Sequence, residues 1–342
     1  MHHLKSILTV LIVFSLSFSP ATLCAQDLYT FDYQLALPGD GSSDFLSIDT
    51  INQNLYVTHA NAVHVINLAN KKLIHTINKL KGVRGVVVVN GVNKGFITDG
   101  KENAVVVIDL LNFEKLATIP LQGKKPSAII FDGFSKKVFA FCTDSHSVSV
   151  IDVDLLQEIT SIHLPGEPEF VVADGKGLLF INLEDKNSIA VLNTTNLEVA
   201  NTFPIPPCKG PFALSMDIAN NRLFCGCREN KGLSIINTEN KQVITTLPIG
   251  KSVGTVLYDS AQKILIAANA EGNSQIFQQF AADQFKLVQT LPTSEKAKTF
   301  ALDPRNKNLY FSASQYKNNS IVPNSFAIYV YKKTMYVKNY LP

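Results

Sequence analysis

An all-β, seven-bladed β-propeller of four-stranded antiparallel blades is the fold this sequence predicts, and three observations predict it. A short apolar strand ending in an acidic residue or Asn recurs at Asp49, Asn90, Asp132, Asp174, Asp217, Asp259 and Asp303, at spacings of 41, 42, 42, 43, 42 and 44 residues. Each recurrence is followed by a turn, a strand rich in Val, Ile, Thr and aromatic residues, and a further strand of alternating polarity. Apolar residues make up 46% of the 342 and charged residues only 17%, which excludes a disordered chain. Four strands in about 42 residues is the period of a propeller blade, whereas a helical repeat of that length needs a 3.6-residue pattern.

Residues 1–25 stand apart from the repeats. Lys5, the apolar run Ile7 to Phe14 and the Leu23-Cys24-Ala25 segment before Gln26-Asp27 have the layout of a secretory signal, with cleavage expected after Ala25. Eight strongly apolar residues are few for a bilayer span, which takes roughly 20. A lipoprotein reading through Cys24 is opposed by the bulky Leu23 before it. The expected organisation is therefore a leader over 1–25, a propeller over 26–333 and a short tail over 334–342, with the mature protein periplasmic or secreted and monomeric. The formal charge of +3 falls by one when Lys5 leaves with the leader, too small an excess for a nucleic-acid footprint.

Within the units, the strand after each anchor reads Leu55-Tyr56-Val57-Thr58, Gly95-Phe96-Ile97-Thr98, Val138-Phe139-Ala140-Phe141, Leu179-Phe180-Ile181-Asn182, Leu223-Phe224-Cys225-Gly226, Leu265-Ile266-Ala267-Ala268 and Leu309-Tyr310-Phe311-Ser312. A third strand follows, such as Val148-Ser149-Val150-Ile151-Asp152, and a Thr-rich strand such as Val243-Ile244-Thr245-Thr246-Leu247-Pro248 closes the unit. The seventh unit lacks that closing strand. Residues 31–38 read like the missing piece, and pairing them with the last blade would close the ring and remove two free sheet edges.

Leu55-Tyr56-Val57-Thr58 with Val65-Ile66-Asn67, and Ser147-Val148-Ser149-Val150-Ile151-Asp152, resemble the YVTN-repeat, YncE-like β-propeller family over about residues 28–331. Gly166–Phe170, Asn182–Asp185, Pro207–Pro211 and Gly226–Arg228 resemble segments of one subgroup. The resemblance implies the fold and leaves the activity open.

A propeller gathers the loops entering its innermost strands, and the loops after its second strands, around one channel mouth. Six residues before each anchor lies a ring of Ser43, Arg84, Pro126, Pro168, Pro211, Val253 and Ala297, flanked by Asp44, Gly85, Ser127, Glu169, Phe212, Gly254 and Lys298. The candidate ligand-binding residues on this rim are Arg84, Lys125, Glu169, Lys209, Phe212 and Lys298, joined from the second set of loops by His59, His146, Glu184 and Arg228. Converging cations favour an anionic ligand.

Four cysteines remain after the leader. Cys208 enters the innermost strand of blade five and Cys227 ends that blade's second strand, so a Cys208–Cys227 disulfide is expected, with Cys225 the competing partner and Cys142 a buried small hydrophobe. The Cys-Gly-Cys spacing has no second pair to complete a zinc site.

The sequence holds no Gly-x-Ser-x-Gly elbow, His-Glu-x-x-His, Gly-rich phosphate loop or haem-attachment motif, so no catalytic residue, metal or cofactor is assigned. Trp is absent, leaving Phe212, Phe170 and Tyr316 as stacking surfaces for a sugar. The leading reading is a non-catalytic binding module for a protein, a peptide or an anionic small molecule. A metal-dependent hydrolase of the lactonase type is the alternative, with Glu169, Asn182 and Asn269 as its candidate ligands. Nucleic-acid binding, which the resemblance suggests for some relatives, is the third.

Overall fold

The computed structural model describes residues 27–41, 43–318 and 320–334. The proposed leader and residues 335–342 of the tail lie outside these.

Seven four-stranded antiparallel sheets form the blades. From the channel outward they are Ser43–Asp49, Asn54–His59, Ala62–Asn67 and Lys72–Ile77 in blade one, Val83–Val89, Lys94–Asp99, Ala104–Asp109 and Lys115–Pro120 in blade two, and Pro126–Asp132, Lys137–Cys142, Ser147–Asp152 and Gln157–His163 in blade three. Blade four comprises Pro168–Ala173, Leu178–Leu183, Ser188–Asn193 and Glu198–Pro204, and blade five Pro211–Asp217, Arg222–Cys227, Gly232–Asn237 and Gln242–Pro248. Blade six follows with Val253–Asp259, Ile264–Asn269, Asn273–Ala281 and Gln284–Pro292. The only helical elements among the described residues are two 3-10 turns, Asn90–Val92 and Glu184–Lys186.

Blade seven closes the ring with both ends of the chain. Thr299–Leu302, Leu309–Ala313 and Ala327–Lys333 are completed by Tyr29–Ala36, paired from Tyr29↔Lys333 to Ala36↔Ala327. The strand therefore starts two residues before the 31–38 segment and stops before Pro38, whose missing N–H cannot serve a ladder. Leu37 still donates its N–H to Phe326 O at 2.9 Å. Gln289 of blade six fastens the joint: Tyr29 N donates to its Oε1 at 2.9 Å, and its Nε2 donates to Tyr29 O at 2.8 Å.

Each second strand is buried on both faces between neighbouring blades, which is why those segments are so uniformly apolar. Phe139, Phe141, Val148 and Val150 of blade three, for example, pack against Leu179, Ile181, Ala190 and Leu192 of blade four. The outermost strands meet water on one face and alternate accordingly, as in Glu198–Pro204.

The recurring acids have a local cause. Asp49 Oδ1 accepts the N–H of Ile51 at 2.9 Å and of Asn52 at 3.0 Å, and Asp132, Asp259 and Asp303 close the same turn in their blades. Burial alone would raise the Asp132 carboxyl, but bonds from Ser135, Thr194 and Phe134 hold it below its ordinary range. Blade two departs from this pattern: Val89, not Asn90, occupies the equivalent register, and the 3-10 turn Asn90–Val92 replaces the Asp-closed turn. The ring read from Asn90 is therefore one residue out of step in that blade. Asp109, Asp152, Asn193 and Asn237 close the turn before the outermost strand of blades two to five in the same way. Both sets of pinned turns lie on the face opposite the mouth.

Candidate functional site: the channel mouth

In blades one to six the innermost strand carries one extra residue against its neighbour near its first pair, for example between Ser43↔His59 and Leu46↔Val57. Such a bulge turns a side chain out of the sheet. The bulge positions are filled by Asp44, Arg84, Ser127, Glu169, Phe212 and Gly254, and Lys298 stands beside the innermost strand of blade seven. Pro126, Pro168 and Pro211 begin three of these strands, the position where a strand tolerates a residue without N–H.

Six charged side chains converge there. Arg84 Nε lies 3.0 Å from Asp44 Oδ2, and Arg228 Nη1 donates to Glu184 Oε1 at 3.2 Å. The Arg228 guanidinium lies over the Phe212 ring, 3.3 Å from its centroid, and Lys298 Nζ is 5.9 Å from the same ring. Burial, followed by the charge of Glu184, pushes the Glu169 carboxyl up to about 7, although Arg84 and Arg228 oppose this. Burial also raises Asp44 and Glu184 and lowers Lys298, whose ammonium is further disfavoured by Arg228. Low water access makes each of these charges costly unless an opposite charge faces it.

Phe45, Phe170 and Phe212 pack below the charges, with centroids 4.7 Å apart for Phe45–Phe170 and 5.5 Å for Phe170–Phe212. Beneath lies a cavity of about 460 Å³ lined by the innermost strands, including Leu46, Val86, Ile129, Val171, Leu214, Val256 and Phe300. Above is a cavity of about 440 Å³ bounded by Asp44, Arg84, Lys296, Lys298, Tyr316 and the serines Ser43, Ser252, Ser312 and Ser314. Gly254 makes room for this arrangement, because a Cβ there would come within 2.7 Å of Lys298 Cγ. One wall comes from the excursion between Ala313 and Ala327, where the short strands Tyr316–Lys317 and Ser320–Ile321 pair.

Of the residues assigned from sequence, Arg84, Glu169, Glu184, Phe212, Arg228 and Lys298 come together here. The other four do not join them. Lys125 pairs with Asp144 at 2.9 Å in a neighbouring groove that also holds Arg84, Lys101 and Lys124. Lys209 is exposed on the rim, and its N–H donates to Asn230 Oδ1 at 3.1 Å. His146 sits in a turn with φ 47°, its carbonyl accepting from Leu164 N at 2.7 Å. His59 is buried, stacked on Phe326 at 3.7 Å and 3.3 Å from His64 Nε2 through Nδ1. Burial lowers both imidazoles, His64 to about 4, and so favours their neutral forms.

Cys208 and Cys227 form a disulfide with Cα atoms 5.3 Å apart. Cys225 Sγ is 3.9 Å from Cys208 Sγ and donates to Asn182 Oδ1 at 3.4 Å. Cys142 is buried and free. Among the described residues, the one group of three His, Cys, Asp or Glu side chains close enough to hold a metal together is Cys208, Cys225 and Cys227, two of which are consumed by the disulfide. Asn182 bonds to Cys225, and Asn269 to Asn273 and Gln275, so neither is tied to Glu169 as a shared ligand set would require.

No family model matches the chain, and no curated protein matches it. Solved structures do. A chain of the mitotic checkpoint complex superposes with TM-score 0.75 at 14% identity, over 95% of this chain and 99% of that one. Virginiamycin B lyase from Staphylococcus aureus gives 0.72 at 14% identity, over 90% and 100%. Kuenenia stuttgartiensis hydrazine synthase gives 0.69 at 14% identity, over 82% and 94%. At this identity the likeness shows the propeller fold alone. No helix among the described residues is long and apolar enough to cross a membrane.

Proposed function

We propose that the protein is an exported, non-catalytic binding propeller of the YVTN-repeat kind, whose channel mouth takes an anionic ligand. The observation that carries this reading is Lys298: a half-buried ammonium at the mouth that forms no ion pair or hydrogen bond among the described residues. Part-buried Arg84 and Lys298, with Lys296 at the exposed edge, bound the cavity against the single carboxylate of Asp44, and such an excess of cations is an environment an anion relieves. The leader-like sequence of 1–25 and the Cys208–Cys227 bond support export to an oxidising compartment. The mitotic checkpoint complex, which holds a chain of this shape, is an assembly, in keeping with an interaction role for such a scaffold.

Thermal unfolding at fixed ionic strength tests the reading. Phosphate, sulfate and citrate should raise Tm, and the gain should disappear in Lys298→Met. Equal stabilisation of both proteins would place the anion elsewhere. Calcium or zinc in the same experiment addresses the metal-dependent hydrolase, which requires a metal-induced rise in Tm.

A further inference from the structure

Resting on the anion reading of the mouth, we infer that its ligand is a sugar or polyol phosphomonoester, with the phosphoryl group held by Arg84, Lys296 and Lys298 and the carbon skeleton lying on Tyr316. Three features of one cavity point to this class.

Charge is the first. Among the residues bounding the cavity three cations face one carboxylate, Asp44, an excess of two positive charges that nearby Glu169 offsets in part when ionised, and a phosphomonoester carries about −1.5 to −2 at neutral pH. Lys296 has a carboxylate neighbour, Glu295 at 3.8 Å, but that pair is solvent-exposed and weakly held. Arg84 meets Asp44 at 3.0 Å, yet its buried Nε lacks a properly aligned acceptor, so the planar fork keeps donors for a phosphoryl oxygen.

The second feature is a row of hydroxyls. Thr299 Oγ1 lies 3.1 Å from Ser312 Oγ, which lies 2.8 Å from Ser43 Oγ at the cavity wall. A chain of hydroxyls can reverse its donor direction, so Ser43 can either give or accept a hydrogen bond with a ligand hydroxyl. Alanine is the largest purely aliphatic side chain bounding the cavity, so beyond the Tyr316 ring an apolar skeleton has nothing to pack against.

Tyr316 is the third. It stands on the excursion between Ala313 and Ala327, far longer than the connection at the same place in blade one, where only Ala60 and Asn61 intervene. Ser314 Oγ donates to Gly41 O at 3.1 Å, and Asn324 N to Asp40 Oδ1 at 2.7 Å, so the excursion is fastened to the chain entering blade one. This holds a flat half-buried ring beside the cations, with Lys296 Nζ 5.9 Å from its centroid. A sugar ring presents C–H groups to such a surface and its hydroxyls to the serines. About 440 Å³ is ample for a monosaccharide phosphate and falls in the usual range for small-ligand sites.

Isothermal titration of the disulfide-intact protein with glucose 6-phosphate, inorganic phosphate, glucose and succinate, at constant ionic strength, separates the parts. Glucose 6-phosphate should bind about tenfold or more tighter than inorganic phosphate, with no measurable binding of glucose or succinate. Tyr316→Ala should bring glucose 6-phosphate down to the level of inorganic phosphate and leave the latter unchanged. Lys298→Met should weaken both, while Lys298→Arg retains them. Equal affinity for inorganic and sugar phosphate, or succinate bound as tightly, would overturn the phosphomonoester assignment and leave a general anion site. Absence of binding by every anion would overturn the anion reading as well.

Discussion

Arg228 and Phe212 are stacked, the guanidinium carbon 3.3 Å above the ring centroid, and the same guanidinium reaches Glu184 at 3.2 Å. One side chain thus ties the second-strand loop of blade five to its own innermost strand and to the loop of blade four. Both charged groups remain about a quarter exposed, at 29% for Arg228 and 25% for Glu184, so the ion pair alone contributes little. With the stacking included, Arg228→Ala should cost about 1 kcal/mol, read from urea unfolding. Arg228→Lys should recover less than half of that, since an ammonium cannot stack as a plane. Full recovery by Lys would mean that charge, not geometry, matters at this position.

Glu169 should make stability depend on pH in a defined direction. Its folded-state pKa of about 7 lies above the usual 4.5, so between these values the folded state holds a proton that the unfolded chain has released. Stability conferred by the protonated form is present below about 4.5 and is lost as pH rises through about 7. Asp44 and Glu184 are shifted the same way and add to the trend. Glu169→Gln should flatten the fall in urea midpoint between about pH 5 and pH 8, whereas an unchanged slope would place the proton elsewhere.

Ring closure should be sensitive to one amide. Gln289 serves both backbone groups of Tyr29, and both residues are buried. Gln289→Leu leaves a buried N–H and a buried C=O unpaired at about 1–3 kcal/mol each, so a loss of at least about 2 kcal/mol is expected. Hydrogen exchange should quicken first over Tyr29–Ala36 and Ala327–Lys333. Uniform protection across all seven blades would show that closure does not depend on this clasp.

The sulfur cluster of blade five predicts a change of partner. With Cys227→Ala, Cys225 is the remaining thiol near Cys208, at 3.9 Å between sulfurs. Peptide mapping after oxidation should find Cys208–Cys225. Its formation should be slow, because burial pushes the Cys225 thiol up and holds it protonated. Removing both Cys208 and Cys227 opens a link spanning 19 residues and should cost about 3 kcal/mol.

The blades were legible because their punctuation is local. An Asp that closes its own turn, as Asp49 and Asp132 do, appears in sequence wherever the turn appears in space. Blade two was counted one residue out of step because a 3-10 turn after Val89 puts Asn90 where an anchor was sought. For the site, strand ends were enough to bring Arg84, Glu169, Phe212 and Lys298 to one mouth. They could not show that Arg84 is the equivalent of Asp44 and Glu169 and not of Ser43, because the turn after Val89 hides the offset, or that Phe45 packs on Phe170, because that contact joins blades distant in sequence. His59 marks the same limit. A loop count puts it on the rim, but its ring turns under the 38–41 crossing to stack on Phe326.

Where an anion settles is the most direct test of this account. A crystal soaked in selenate, examined by anomalous diffraction at the selenium edge, should show a peak between Arg84, Lys296 and Lys298. An empty mouth, with the anion instead in the Lys101–Lys124 groove or on scattered surface lysines, would contradict it.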